Sequence, residues 1–459
     1  QIASLGCHLS FGATFAILWF LRRRPSVLQP PVGAEGGEST LRRWARRGGV
    51  AAGVSLSATL ATWPILLAWN GAVPADGLWT NCLVTPLASL VLVPAVFGGA
   101  AVFGISSPIG GPILAWAGRG MALLAEGLRA VAAEPPFDIV TGQLAIPTAC
   151  LMAVGVVVCV GSRWRRRPVA VGVLVVTAAL AIGVHRHAPP EDRMGLHFIP
   201  VGQGDATLAR LPDGRTLLVD AGGRRLGADP GSRTVVPYLH RLGIGRLDWV
   251  IATHADFDHV GGLVAVAERM RPATFIYHPV EGARRLREVV EVMGRVGARR
   301  IALEDRRILA ERPVEMRVWK PNVGAGGGDN DVSLVTRIGY GGRSALLPGD
   351  IEAAGEQWFV DRCRTGQFCG VDVVKVPHHG SKTSSTEAFL RATRPGAAVV
   401  SAGKFNAFGH PAGVVVERYE DRGVPLWETA RHGLVRAIFR EDGSVEVRAM
   451  RPGAAGSGE

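Results

Sequence analysis

The pattern of apolar and polar positions changes character near residue 188. Before that point long apolar runs, at 2–21, 50–69, 78–103, 113–133, 144–160 and 169–184, alternate with short polar breaks. Runs of about 18 or more apolar residues read as membrane-spanning helices. From Gly195 on, the runs shorten to strand length and are rich in β-branched residues: LHFIPV, ATLARL, RTLLVD, LDWVIA, TFIY, VSLVTRI, SALLPGD, VDVVKVP, AAVVSAG, LVRAIFR and SVEVRAM. Pro212-Asp213-Gly214 between the second and third marks a hairpin turn. Helical periodicity falls near 233–242, 283–296, 351–362 and 411–420, so strands and helices interleave. The pattern predicts an α-helical polytopic membrane region over 1–187, then an α/β domain over 188–459 with two sheets sandwiched between helices.

Charge adds an orientation. Arg22 to Arg24 and the Pro/Gly-rich stretch 25–49 form one arginine-bearing loop, and Arg163 to Arg167 begin another. Positive loops face the cytoplasm, so an even number of crossings must separate them. Segments 50–69, 78–103, 113–133 and 144–160 supply four. Arg119, Glu126 and Arg129 interrupt the third of these on one helical face, which suits a span lining a polar path or an interfacial helix. The last span then places the α/β domain outside the cytoplasm, and the protein is expected as a multi-pass component of the inner cell membrane. A net charge of +12 and a pI near 10.2 permit a polyanionic partner without requiring one. The chain opens on Gln1 inside an apolar run, which reads as the C-terminal portion of a longer protein with no signal peptide.

Candidate chemistry concentrates in Thr253-His254-Ala255-Asp256-Phe257-Asp258-His259-Val260-Gly261-Gly262. An apolar strand precedes it and a helix start follows, so four side chains able to bind metal crowd one turn. Carboxylate oxygen and imidazole nitrogen suit zinc or manganese, and the HxDxDH spacing lets alternate residues face two neighbouring cations. Helix capping would need one Asp and no histidine. Other polar residues stand at strand ends: Asp220, Asp350, and His378 with His379. Cys363 and Cys369, in the DRCRTGQFCG loop, are expected as a disulfide if the domain meets an oxidising compartment and as free thiols if it does not.

Five blocks in order, VGQGDATLARLPDGRTLLVDAGG, THADFDHVGG, NDVSLVTRIGYGGRSALLPGDIE, VDVVKVPHHGSKTSST and VVSAGKFNAFGHP, resemble the metallo-β-lactamase-like domain of the ComEC family of DNA-internalisation competence proteins. CHLSFGATFAIL and TNCLVTPLASLVLVPAV are similar to the C-terminal part of that family's competence transmembrane region. The resemblance implies an αββα sandwich and a metal-dependent hydrolase, a DNA nuclease of the metallo-β-lactamase superfamily, attached to a channel for single-stranded DNA.

Carried over residue by residue, the resemblance gives two divalent ions, zinc or manganese. His254 and Asp256 would bind one ion and Asp258 and His259 the other, with Asp350 bridging and Asp220 orienting the histidine loop. One of His378 and His379 would be a ligand; His378 is taken as the ligand, with His379 contacting phosphate. Asp258, His379, Lys382 and His410 would serve catalysis by orienting the nucleophile or contacting phosphate and leaving group. Gly202-Gln203-Gly204 would offer backbone N–H groups to phosphate. Two departures stand out. Residues 328–333 hold no histidine where the broader superfamily has a ligand, which leaves one ion weakly held, and Pro200 replaces the family's usual Asp.

The expected function is DNA uptake in natural competence, with hydrolysis of incoming DNA or its non-transported strand. Expected partners are single-stranded DNA in the channel, duplex DNA at its entrance, membrane lipid and other competence proteins. Two rivals are a membrane-tethered metallohydrolase of another phosphodiester and a DNA channel whose soluble domain only binds.

Overall fold

The computed structural model describes residues 5–23, 40–74, 84, 87–133, 138–161, 166–186, 192–223, 229–311, 313–324, 327–364 and 369–450. The chain divides into two compact units, one of Gln1–His187 together with His240–Gly243 and the chain end, the other of Ala188–Leu239 and Ile244–Ser457.

The first unit is helical: α1 (Leu5–Arg23), α2 (Thr40–Asn70), α3 (Val93–Ile105), α4 (Ser107–Ala133), α5 (Ile146–Gly161) and α6 (Arg166–Arg186), with one small ladder pairing β1 (Ala72–Pro74) and β2 (Asp138–Val140). Trp63, Leu67, Val73, Leu144, Met152 and Ala179 form its buried core. Phe11, Phe97, Leu123, Ile146 and Leu174 are exposed on outer helix faces, where a hydrocarbon surround would remove the cost of leaving them in water. Length and composition qualify Leu5–Arg22, Gly48–Asn70 and Arg167–Val184 as spans.

The expected four intervening crossings are corrected in part. The start of the 78–103 segment lies outside the described residues, and its remainder is a π-helical turn over Ala88–Leu92 followed by the short α3. Ser106 breaks the chain in extended conformation and α4 begins at once. This reversal needs Gly110, because a Cβ there would sit 2.3 Å from the Phe103 backbone. The first arginine loop is also shorter than expected: α2 begins at Thr40, and 24–39 lie outside the described residues.

The second unit holds two mixed sheets. One has the order β17-β16-β3-β4-β5-β6-β7-β8 and the other β15-β14-β13-β12-β11-β10-β9. The strands of the first are β3 (Arg193–Phe198), β4 (Thr207–Arg210), β5 (Thr216–Val219), β6 (Trp249–Ile251), β7 (Thr274–Tyr277), β8 (Arg299–Ala302), β16 (Val435–Arg440) and β17 (Val445–Ala449). Those of the second are β9 (Arg306–Ala310), β10 (Val314–Trp319), β11 (Val335–Tyr340), β12 (Arg343–Leu347), β13 (Val373–Lys375), β14 (Ala397–Val400) and β15 (Leu426–Glu428). Their facing sides meet in one apolar core that includes Leu196, Phe198, Leu217, Ile251, Met316, Ile338, Leu347, Val373 and Phe439. A second core, with Phe359, Phe389, Val374, Val415 and Tyr419, lies between the β9 to β15 sheet and α7 (Ala353–Arg364), α8 (Glu387–Thr393) and α9 (Gly413–Glu420). The fold is the expected metallo-β-lactamase-like sandwich.

Within each sheet one block of neighbouring strands runs parallel: β5 to β8 in the first and β12 to β15 in the second. Loops leaving the carboxyl ends of parallel strands gather at one rim, where open α/β sheets place ligand sites. Asp220 follows β5, His254 follows β6, Asp350 follows β12, His378 and His379 follow β13, and Ser401 follows β14.

Candidate metal centre

Three buried imidazoles, those of His254, His259 and His379, stand close together, with the His259 ring centroid 4.1 Å from that of His254 and 5.2 Å from that of His379. The His259 Nδ1 lies 2.8 Å from Asp220 Oδ2, and the His379 Nδ1 lies 2.8 Å from the Ser401 carbonyl oxygen. Both partners only accept, so each Nδ1 carries the proton and each Nε2 is left with a lone pair. Thr253 Oγ1 donates to Asp220 Oδ2 at 2.7 Å and is 3.1 Å from His254 Nδ1, which fixes the third ring in the same sense.

The Nε2 atoms of His259 and His379 face each other at 3.3 Å, and Asp350 Oδ2 stands 3.2 Å from the first and 3.1 Å from the second. Asp258 Oδ2 reaches His379 Nε2 at 3.2 Å. His254 Nε2, 3.6 Å from Asp256 Oδ2, is buried without a hydrogen-bond partner. Lone pairs and carboxylates that converge in this way repel one another unless a cation sits among them, so the donor set fits a divalent metal. Without the metal, protons serve instead. Burial works against a charged His259 or His379, yet the surrounding carboxylates together outweigh it, Asp350 with Asp220 for His259 and Asp350 with Asp205 for His379, and hold both well above the usual histidine range. Asp258 is held well below the carboxylate range: burial would raise it, but His379 and His259 prevail.

The scaffold around these donors is over-determined. Asp220 sits buried in a left-handed conformation, φ 59°, and its Oδ1 also accepts from the Thr253 N–H at 2.9 Å. Gly204 has φ 122°, and any side chain there would meet the Asp258 carbonyl oxygen at 2.0 Å, so only glycine lets the loop after β3 close on the histidine turn. His378 and His379 both adopt left-handed backbone, φ 44° and 53°, which splays their rings apart.

That splay decides between the two histidines and corrects the provisional choice of His378 as ligand. The His379 ring enters the cluster, whereas His378 Nδ1 lies 2.9 Å from Glu352 Oε1. His410 is half buried, with its ring centroid 5.6 Å from that of His378 and 6.4 Å from that of His379. Burial, then His379, lowers its pKa. Lys382 is exposed. At 328–333, where a histidine ligand is missing, Asp331 is buried and accepts from the Glu352 and Gly355 N–H groups at 2.8 Å each, capping α7. Of the two alternatives for Cys363 and Cys369 the structure holds free thiols and not the bridge, and Cys369 Sγ donates to the Cys363 carbonyl oxygen at 3.0 Å.

Two residues escaped the sequence reading. Asp205, Asp350, His259 and His379 form a buried quartet whose ligand-capable atoms lie within 4.8 Å of one another. The Asp205 oxygens approach the Nδ1 atoms, at 3.5 Å for His379 and 3.8 Å for His259, so Asp205 stands behind the rings and not among the Nε2 donors. Lys375, also buried, pairs with Asp205 and lies 3.2 Å from Asp350 Oδ1. Asp205 was visible in the VGQGD block, there read only for its glycines, and Lys375 as the one charge inside an otherwise apolar VVKV run.

The sequence matches the Competence protein family over residues 1–167 and the Metallo-beta-lactamase superfamily over 199–404. It is 25% identical over 411 residues to ComE operon protein 3 of Bacillus subtilis, covering 84% of this chain and 51% of that protein. It is 27% identical over 437 residues to competence protein ComA of Neisseria gonorrhoeae, covering 95% and 56%. The chain thus spans about half the length of these relatives. Among solved structures, the metallo-β-lactamase fold protein YhfI of Bacillus subtilis is similar at 13% identity and a TM-score of 0.36, covering 56% of this chain and 99% of that one. A competence domain followed in one chain by a metallo-β-lactamase domain, with relatives that share both, makes this chain a member of the ComEC family of competence proteins.

Proposed function

We propose that this protein acts in DNA uptake, conducting single-stranded DNA through its membrane helices while the metal centre hydrolyses phosphodiester bonds of the incoming DNA or of its non-transported strand. The observation that carries the reading is the convergence of the His259 and His379 Nε2 atoms with the oxygens of Asp258 and Asp350, with His254 Nε2 set beside Asp256 Oδ2 at 3.6 Å. The superfamily match supports a metal-dependent hydrolase, and the competence match together with the apolar helices supports a membrane protein that handles DNA.

In this reading His259, His379, Asp258 and Asp350 would hold one divalent ion, and His254 and Asp256, with Asp350, a second. The ions would supply Lewis acidity toward the phosphoryl oxygens and make water a better nucleophile at neutral pH. Asp258, ionised at neutral pH, accepts a hydrogen bond from the attacking water and aims it. Asp220 keeps His259 in the tautomer whose Nε2 is free, and the Ser401 carbonyl does the same for His379. His410, neutral by its lowered pKa, and the exposed Lys382 contact the phosphate backbone. The domain lies on the outer side of the membrane, where it meets duplex DNA before one strand enters.

The test is cleavage of end-labelled single- and double-stranded DNA by the full chain in detergent, with and without a chelator, beside a small phosphodiester such as a choline phosphate ester. Metal-dependent release of nucleotides supports the reading. Turnover of only the small ester assigns the centre to another phosphodiester, and binding without cleavage assigns the domain to binding alone. For conduction, replacing Arg119 and Arg129 with Gln lowers DNA uptake in cells while leaving cleavage by the purified chain unchanged. Unaltered uptake would place that helix at the interface and remove the support for an outer domain.

A further inference from the structure

Lys375 is a buried lysine whose ammonium has no route to solvent and no part in the chemistry described so far. It projects from the end of β13, pairs with Asp205, lies 3.2 Å from Asp350 Oδ1 and donates to the Gly349 carbonyl oxygen at 3.2 Å. The two oxygens of Asp350 are therefore divided. Oδ2 faces the Nε2 atoms of His259 and His379, and Oδ1 faces the ammonium. A carboxylate that bridges two cations does so best with both oxygens available or with its full charge unshared. Here one oxygen is already taken by a fixed positive charge.

We infer that Lys375 is a built-in cation that rations the bridging carboxylate, so that the centre fills its His259, His379 and Asp258 half first and admits a second divalent ion only with difficulty. Two further observations agree. The half built on His254 and Asp256 has only two donors of its own, one on a largely exposed aspartate, and Asp331, in the segment where a third ligand would arise, is spent on capping α7. Lys375 thus acts through Asp350 as a positioning residue. Its ammonium and a second ion are alternative ways to neutralise the same carboxylate, and like charges at such separations in a buried site oppose each other by enough to shift an affinity about tenfold or more.

The inference rests on the metal-dependent reading given above but is tested without DNA, so a chain that takes up ions as described yet cuts nothing fails only that reading. The experiment is equilibrium dialysis of the full chain in detergent against graded free Mn2+, and separately Zn2+, with the metal counted per chain. Wild type fills one site well before the second. Lys375→Gln should bring the second filling to free metal about tenfold lower or more, and Lys375→Arg, which keeps the charge, should stay with wild type. Because Lys375→Gln strips Asp205 of its ion-pair partner, an Asp205→Asn/Lys375→Gln double variant removes both charges, and it carries the same expectation for the freed Asp350. An unchanged second filling in the Gln variants, or an equal shift with Arg, overturns the inference. So does the failure of both Gln variants to fold, which would make the lysine a requirement of the scaffold.

Discussion

The two halves of the proposed metal centre both draw on one short turn, yet they differ in kind. His259, with His379 and Asp350, is buried, and every Nδ1 has a fixed partner, either Asp220 or the Ser401 carbonyl. His254 shares its support through Thr253, its Nε2 is without a hydrogen bond, and its neighbour Asp256 stands largely in solvent. The comparison teaches that ligand spacing sets which residues reach the site, while the groups behind the ligands set how firmly each half holds.

Asp350→Asn strikes both halves of the proposed centre, because that reading gives the Asp350 carboxylate to both. Metal-dependent DNA cleavage by the full chain should fall to background while far-UV circular dichroism stays as in wild type; retained activity would dissolve the two-half picture. His254→Ala removes only the weaker half. One tight ion per chain should remain by metal analysis, with cleavage much reduced, and loss of all metal would show the halves to be inseparable. Asp220→Asn leaves every ligand in place but weakens the acceptor behind His259, and the expected cost is about 10- to 100-fold in metal affinity by competition with a chelator.

A further effect, on stability and not on metal affinity, concerns the chain that follows His379. The loop after it is clamped by Glu356 of α7, whose carboxylate accepts from the Ser385 N–H and, at 2.7 Å, from the Thr386 N–H, while Arg418 donates to the Ser384 and Ser385 carbonyls. Burial raises the Glu356 pKa to about 7, opposed in part by the hydrogen bonds from Thr386 and Ser385. A carboxyl whose folded pKa exceeds its unfolded one stabilises the protein fully below the unfolded value, and that contribution fades as pH rises through the folded value. Wild type should therefore lose on the order of 3 kcal/mol between about pH 4.5 and pH 7 relative to Glu356→Gln, read from thermal unfolding across that range. Parallel curves for the two proteins would mean that Glu356 stays charged throughout.

Much of this was legible from residues alone. The HxDxDH turn announces itself because its donors are adjacent, and Asp220 and Asp350 because each ends an apolar strand. Lys375 and Asp205 hid for the opposite reason: their partners lie far along the chain, and only the meeting of β13 with the loop after β3 brings them together. The choice between His378 and His379 turned on two consecutive left-handed residues, which no periodicity encodes. Strands β8, β9 and β10 were overlooked because Arg299, Arg300, Arg306, Arg307 and Arg317 make 299–319 look like a solvated loop. Alternating burial along β10 puts Glu315 and Arg317 on the outer face while Met316 and Val318 enter the core.

One consequence of the rim arrangement concerns assembly. Asp220, His254, Asp258 and His259 arrive from the sheet that contains β5 and β6, whereas Asp350, His379 and Ser401 arrive from the sheet that contains β12, β13 and β14. Neither sheet alone offers more than half a coordination sphere. An ion recruited here acts as a clasp that closes only when the two jaws of the sandwich have met in register, and its binding energy adds to the cohesion of the interior between them.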